Sequence, residues 1–220
     1  MENIPRYTNP IVLLVVATLL LLGCQTAYFN TLEKFGIHKR DLLVDRVENA
    51  RDAQEDAKEQ FKSALEKFSS VVKFDGGELK QKYEQLSAEL ERSESKAEAV
   101  QDRIESVENV AGELFKEWQA ELEKYSNDNM RKISQRKLTE TQQRYDKLIS
   151  AMKRAEQKIE PVLTTFRDQV LFLKHNLNAQ AIASIQEELV EVETNIASLI
   201  KEMEASIKEA DTFINSMNQE

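Results

Sequence analysis

The groups in this chain that could do chemistry are a single thiol, two imidazoles and an excess of carboxylates. The thiol is Cys24, the imidazoles are His38 and His175, and 39 Asp and Glu outnumber 30 Lys and Arg for a formal charge of −9. Only Cys24 has a setting that suggests a reaction. It follows Ile11–Leu22, an unbroken run of apolar and small residues, and closes the sequence Leu21-Leu22-Gly23-Cys24. The run is shorter than the roughly 20 residues that span a bilayer and has the length of a signal-peptide core, about 7–15 residues. The segment ahead of it is polar, with Glu2 and Arg6 offsetting one another. The competing reading is an uncleaved N-terminal anchor with a chance cysteine. The position of the only Cys at the end of the only long apolar run argues against it.

Leu21-Leu22-Gly23-Cys24 resembles the lipobox of bacterial lipoproteins, with Leu three before the cysteine and a small residue just before it. The resemblance implies cleavage between Gly23 and Cys24, where glycine leaves the backbone open to the peptidase, and a diacylglyceryl group on the Cys24 thiolate. It also implies an acylated mature amine, and several acyl chains anchor stably where one binds only marginally. Leu22 is bulkier than the usual residue at its place, and the weakly basic start is a second departure. Gln25 stands where many such proteins carry an inner-membrane retention Asp, so the resemblance implies outer-membrane delivery with the body in the periplasm. With Cys24 lipidated, no disulfide or thiolate metal site remains.

The other groups suggest no site. His38 and His175 fall near the start of the first predicted helix and the end of the third, opposite ends of an antiparallel bundle, so no shared metal or haem is expected. His175 reads as a helix C-terminal residue facing the dipole. There is no Gly-rich phosphate loop, no Gly-x-Ser-x-Gly and no His-Glu-x-x-His. Carboxylates sit three or four residues from cations, as Glu55 and Glu59 do beside Lys58 and Lys62, the pattern of solvated helix faces. The acidic balance without a basic stripe argues against a nucleic-acid partner. Expected, then, are no enzymatic activity and no cofactor. Lys34, His38, Lys39 and Arg40 cluster close to Cys24. They read as a solvated first turn paired with Asp41 and Asp45, the alternative being contact with anionic headgroups.

What must position these groups is a helical body. Only 5 Gly and 3 Pro occur, and 31% of residues are charged, a composition of long helices. Apolar residues recur at alternating spacings of four and three: Val47, Ala50, Ala57, Phe61, Ala64, Phe68 and Val71, with Gln54 polar; then Leu79, Tyr83, Leu86, Leu90, Ala97, Val100, Ile104, Val107, Ala111, Leu114 and Trp118, with Ser93 polar. A third stripe runs Leu138, Thr141, Tyr145, Leu148, Met152, Ala155, Ile159, Val162, Phe166, and a fourth Ile182, Ile185, Leu189, Val192, Ile196, Leu199, Met203. A 3.5-residue average keeps a stripe on one side of a helix, the seam of a coiled coil. Trp118 on its stripe reads as packing.

The breaks are Asp75-Gly76-Gly77, the polar run Ser126-Asn127-Asp128-Asn129, and a third near His175–Asn178 that carries no Gly or Pro. The third is inferred from phase: Phe166 and Leu173 would next require Gln180, yet the fourth stripe starts at Ile182, a shift of two that matches neither common coiled-coil insertion. Asn176 and Asn178 are placed to end one helix and cap the next; one unbroken helix is the alternative. Asn30-Thr31-Leu32-Glu33 fits a capping box for the first helix, which Gly36 could interrupt, and Pro161 predicts a kink inside the third. The expected fold is all-α, an elongated four-helix up-down-up-down bundle of coiled-coil-like helices. The expected organisation is a signal peptide over 1–23, a lipidated tether over 24–30 and a helical domain over 31–220. Asp45–Phe68 and Asp102–Tyr125 align at constant spacing; shared coiled-coil composition accounts for this more simply than duplication.

Gly36-Ile37-His38-Lys39-Arg40-Asp41, the continuation through Val44–Val47 and Ala53–Phe61, and Leu171–Ile182 resemble an uncharacterised family of Gram-negative envelope lipoproteins, labelled only as a domain of unknown function. The resemblance covers nearly all of the mature chain and implies no activity. The expectation is a lipid-anchored coiled-coil scaffold of the cell envelope. The alternative is a binding module or accessory regulator that docks a pump, channel or enzyme, or takes an apolar ligand, through the membrane-distal end. Phe74, Leu171 and Phe172 are the candidate contacts there. Val170–Leu173 are four consecutive apolar residues, wider than a two-position seam. They predict a thicker packed core, with an exposed docking patch as the alternative.

Overall fold

The computed structural model describes residues 38–72, 79–176 and 179–219, with side chains left undescribed at 72 and 179–184. The chain divides after Leu42, and the unit Leu43–Glu220 holds nearly all of the described helix. Among the described residues four helices follow one another: α1 (Lys39–Val72), α2 (Leu79–Leu122), α3 (Asp128–His175) and α4 (Ala179–Asn218). The proposed capping box at Asn30, the interruption at Gly36 and the Asp75-Gly76-Gly77 turn lie outside the described residues.

Each helix exists because its apolar stripe needs a partner. Every described stripe residue on α1 is buried, from Val47 and Ala50 through Phe61 to Phe68 and Val71, and the polar Gln54 is buried with them. On α3 the stripe from Leu138 to Phe166 is buried except for half-buried Tyr145. On α4, Val192, Ile196, Leu199 and Met203 are buried, and the same spacing continues through Ser206, Ala210, Phe213 and Met217. Burying one large side chain such as these contributes roughly 1.5–3 kcal/mol. These stripes, more than helix propensity, hold the structure.

Cross-helix contacts fix the topology. Asp56 with Lys96 and Gln60 with Glu89 run α1 antiparallel to α2. Glu108 with Lys153 and Glu94 with Arg167 do the same for α2 and α3. Arg51 with Asp211 brings α4 alongside α1, and Arg154 with Glu202 joins α3 to α4. Phe68 and Phe166 meet across the middle with ring centroids 6.0 Å apart, making α1 and α3 the diagonal pair. The result is an all-α, up-down-up-down four-helix bundle.

The helix ends follow the chemistry of their residues. Asn127 adopts extended backbone (φ −97°, ψ 110°), and its side-chain oxygen accepts from the Asn129 and Met130 amides at 2.9 and 3.2 Å, capping α3. At the other end Asn176 closes α3: its amide donates to the Phe172 and Leu173 carbonyls, and its side-chain nitrogen donates to the Phe172 carbonyl at 3.0 Å. The break therefore falls where the phase shift placed it, and one unbroken helix through this region is excluded. Lys174 and His175 occupy the last turn of α3, where a cation meets the negative end of the dipole. Helix α3 runs through Pro161, which faces solvent as Gln157 four residues back does, so water can serve the carbonyl that proline leaves without a donor. The aligned segments Asp45–Phe68 and Asp102–Tyr125 do not occupy equivalent places. Phe68 is a core residue, whereas Tyr125 lies beyond the end of α2 and is exposed.

Candidate functional site

Of the residues singled out from the sequence, Gly23, Cys24 and Phe74 lie outside the described residues. Leu171 and Phe172 are described, and the packed core expected at Val170–Leu173 forms only in part. Leu173 is fully buried, Val170 is half-buried, and Leu171 and Phe172 are 57% and 39% exposed. The reason is geometric. Four consecutive residues at 100° steps span most of the helix circumference, and the neighbours of α3 cover only the side that Leu173 and Phe166 occupy.

The first turn of α1 also departs from expectation. His38 is exposed, but Lys39 is buried and Arg40 half-buried, and Asp45 pairs with Arg46 at 3.2 Å. Lys34 lies outside the described residues. The surface pairs read from the α1 sequence are present: Lys58 with Glu55 at 2.7 Å and Lys62 with Glu59 at 2.8 Å. Trp118 packs half-buried on its stripe and donates from its indole nitrogen to the Ser134 hydroxyl at 2.8 Å. Tyr145 meets Phe115 edge to face at 5.4 Å. Its phenol is pushed up to about 12, first by burial and then by Glu108 and Asp146.

The most developed polar constellation is one that the sequence reading did not name. Glu89 on α2 is buried. Gln60 on α1 donates from its amide nitrogen to one Glu89 carboxylate oxygen at 2.7 Å, and Arg92 donates to the other at 2.7 Å. Ser93 donates from its hydroxyl to the Glu89 backbone carbonyl at 2.8 Å and lies 3.4 Å from the Gln60 amide nitrogen. Burial by itself would raise the Glu89 carboxyl. The hydrogen bonds from Arg92 and Gln60 outweigh it and hold the group below its ordinary value. A carboxylate held ionised in this way is a poor proton donor at neutral pH. It fastens α1 to α2. Ser93, the polar exception on the α2 stripe, was the clue: a hydroxyl at a core position needs a partner, and its partner lies one turn back at Glu89.

Two further features bear on chemistry. A groove of about 510 Å³ between α2 and α3 is lined by Glu94, Glu98, Glu156, Glu160, Lys153 and Arg167, among others. Arg167 bridges Glu94 and Glu160 at 2.6 Å each, and Lys153 pairs with Glu108 at 2.8 Å. Burial, followed by repulsion from Glu108, raises the Glu156 carboxyl against the pull of Lys153. The second feature lies inside the bundle. Gln54 on α1 and Ser206 on α4 are fully buried, and neither side chain has a hydrogen-bond partner in the protein. Both stand a turn or so inward from the Arg51–Asp211 pair. Among the described residues no three His, Cys, Asp or Glu side chains converge as they do around a metal ion.

By fold this is an all-α helical-bundle protein. It matches the family described as "Protein of unknown function (DUF2959)" over residues 28–217, and so belongs to it. No curated protein and no solved structure matches the chain.

Proposed function

We propose that this protein is a lipid-anchored component of the bacterial cell envelope, held on the outer membrane through acyl chains on Cys24, with its helical body in the periplasm serving as a non-enzymatic scaffold or spacer. The observation that carries this reading is the place of the chain's only cysteine, directly after Gly23 at the end of the Ile11–Leu22 run. Two features of the body support it. Many of its carboxylates pair with cations along or across helix faces, as Glu55 does with Lys58 and Glu94 with Arg167, and Glu89, the buried carboxylate among the described residues, is held ionised between α1 and α2. Radiolabelled palmitate fed to cells should enter the wild-type chain and not Cys24→Ser, which should persist as an uncleaved precursor. Equal labelling of both would overturn the lipoprotein reading.

A second reading, docking of an envelope protein at the end where α3 meets α4, draws support from the exposure of Leu171 and Phe172. Crosslinking in cells from those two positions, followed by pull-down, tests it. Loss of no crosslink on Leu171→Ser and Phe172→Ser would sink it.

A further inference from the structure

We propose that the loop end of the α2–α3 hairpin is a docking surface for an anionic lipid bilayer. In a chain of formal charge −9, the stretch from Lys124 to Lys137 runs the other way: Lys124, Arg131, Lys132, Arg136 and Lys137 accompany one carboxylate, Asp128. All five cations are exposed. Arg131 leans on Asp128 at 2.9 Å and Lys124 on Glu121 at 4.0 Å. Lys132, Arg136 and Lys137 form no ion pair among the described residues. Arg131, Lys132 and Arg136 line one open groove of about 370 Å³ against Leu122, the last residue of α2, and Glu123 just beyond it, a concavity into which a phosphate-bearing headgroup fits.

The same end exposes large apolar side chains. Tyr125 is 44% exposed, Met130 55% and Ile133 38%. Met130 and Ile133 are three residues apart and so share one side of α3. Leu138, one and a half turns on, is fully buried, which dates the change from surface to core to within a few residues. Exposed apolar groups among exposed cations, three of which form no ion pair among the described residues, match the two layers of a bilayer surface, hydrocarbon beneath anionic headgroups. An acidic protein surface would be matched by the cations alone and would leave Met130 and Ile133 in water.

The topology also puts this surface at the end of the bundle from which the chain leads back toward Cys24. In the antiparallel bundle Leu43 of α1 lies toward the same end as the end of α2, the start of α3 and the end of α4. Counted from the Asp56–Lys96 pair, Leu43 stands level with about Asn109 of α2, and α2 continues roughly 20 Å further before its end at Leu122. The chain that leads back to Cys24 therefore joins the bundle at the end that carries the basic loop. The proposal does not depend on lipid at Cys24, and its test is made without that lipid.

The experiment uses the full chain in a Cys24→Ser background, with one new cysteine for an environment-sensitive fluorophore: Met130→Cys, or Phe172→Cys or Val190→Cys as exposed controls elsewhere. Each is reconstituted into vesicles of phosphatidylcholine alone or mixed with phosphatidylglycerol. The expected result is a blue shift at position 130 in anionic vesicles only, reversed by high salt, with none at 172 or 190. Arg131→Gln, Lys132→Gln and Arg136→Gln together should weaken tip binding about 100-fold, since each cation near an anionic surface contributes roughly a factor of five. Helical circular dichroism checks that this variant folds, and the salt titration on the otherwise unaltered chain stands without it. A label at 130 that stays in water, or shifts equally in both lipids, overturns the proposal. So does a shift that requires membranes containing protein, which would make the partner a protein.

Discussion

The Gln60–Glu89 hydrogen bond offers the sharpest test of what fastens α1 to α2. Gln60→Leu keeps the side-chain bulk and deletes the donor. The bond is 2.7 Å long, partly buried, and made to an ionised carboxylate. Hydrogen bonds to charged groups contribute about 1.5–3 kcal/mol. Because Glu89 retains Arg92, itself largely exposed, the loss should be nearer the lower figure, about 2 kcal/mol. In a unit of this size that lowers the melting temperature by about 4–8 °C. The exposed Lys96–Asp56 pair spans the same two helices at the same 2.7 Å, yet Lys96→Gln should cost less than about 1 kcal/mol because water screens it. Equal distance with unequal burial makes the comparison decisive. The pH dependence has a definite sign. Glu89 is held below the ordinary carboxyl value of 4.5, so its contribution is complete above that value and is lost as pH falls through the lower folded one. The gap between wild type and Gln60→Leu should be widest near neutrality and should shrink in acid. Urea unfolding followed by helical circular dichroism measures both. If Gln60→Leu costs no more than Lys96→Gln, or if the gap is flat across acid pH, the buried carboxylate does not act as argued.

Further outcomes follow from burial. Gln54→Leu should stabilise the bundle by about 1–3 kcal/mol, because it removes a buried amide that no protein group satisfies; a lower urea midpoint would refute this. Leu173→Ala should cost about 2–5 kcal/mol, whereas Phe172→Ser and Leu171→Ser should leave the thermal midpoint nearly unchanged, since Leu173 is buried and its two predecessors are exposed. Gly112 is an exposed α2 residue around which a Cβ would meet nothing within 4 Å, so Gly112→Ala should raise stability by about 0.5–1 kcal/mol through lost unfolded-state freedom. No gain in melting temperature would count against that helical assignment.

The physics that made the helices legible also explains what the stripes concealed. A spacing of four and three locates one side of a helix, and in α1 that side is buried from Val47 to Val71, Gln54 included. A seam of two positions per heptad suits a pair of helices. In a four-helix bundle each helix meets two neighbours and faces a third, so a second row is covered as well. Val110, Ala151 and Leu163 are buried for that reason, although they stand off their stripes. Glu89 is the same effect with a charged residue: it is buried while its stripe neighbour Leu90 is only half-buried, because α1 offers Gln60 at that level. Nothing in the residues around Glu89 announces a donor 29 positions away. The break after His175 was legible by contrast because phase is a one-dimensional property. A two-residue slip in the stripe cannot be absorbed by a continuous helix without turning its apolar side about half-way round, and Asn176 supplies the amide and side chain that close the last turn. The exposed apolar groups at the two ends mark the limit of such reading. Phe172 sits in a run of four consecutive apolar residues and Met130 in a mostly polar stretch, yet only Met130 is flanked by Arg131, Lys132 and Arg136 in a groove. The difference between a patch with a definable occupant and one without therefore rests on charge in three dimensions, and periodicity carries no record of it.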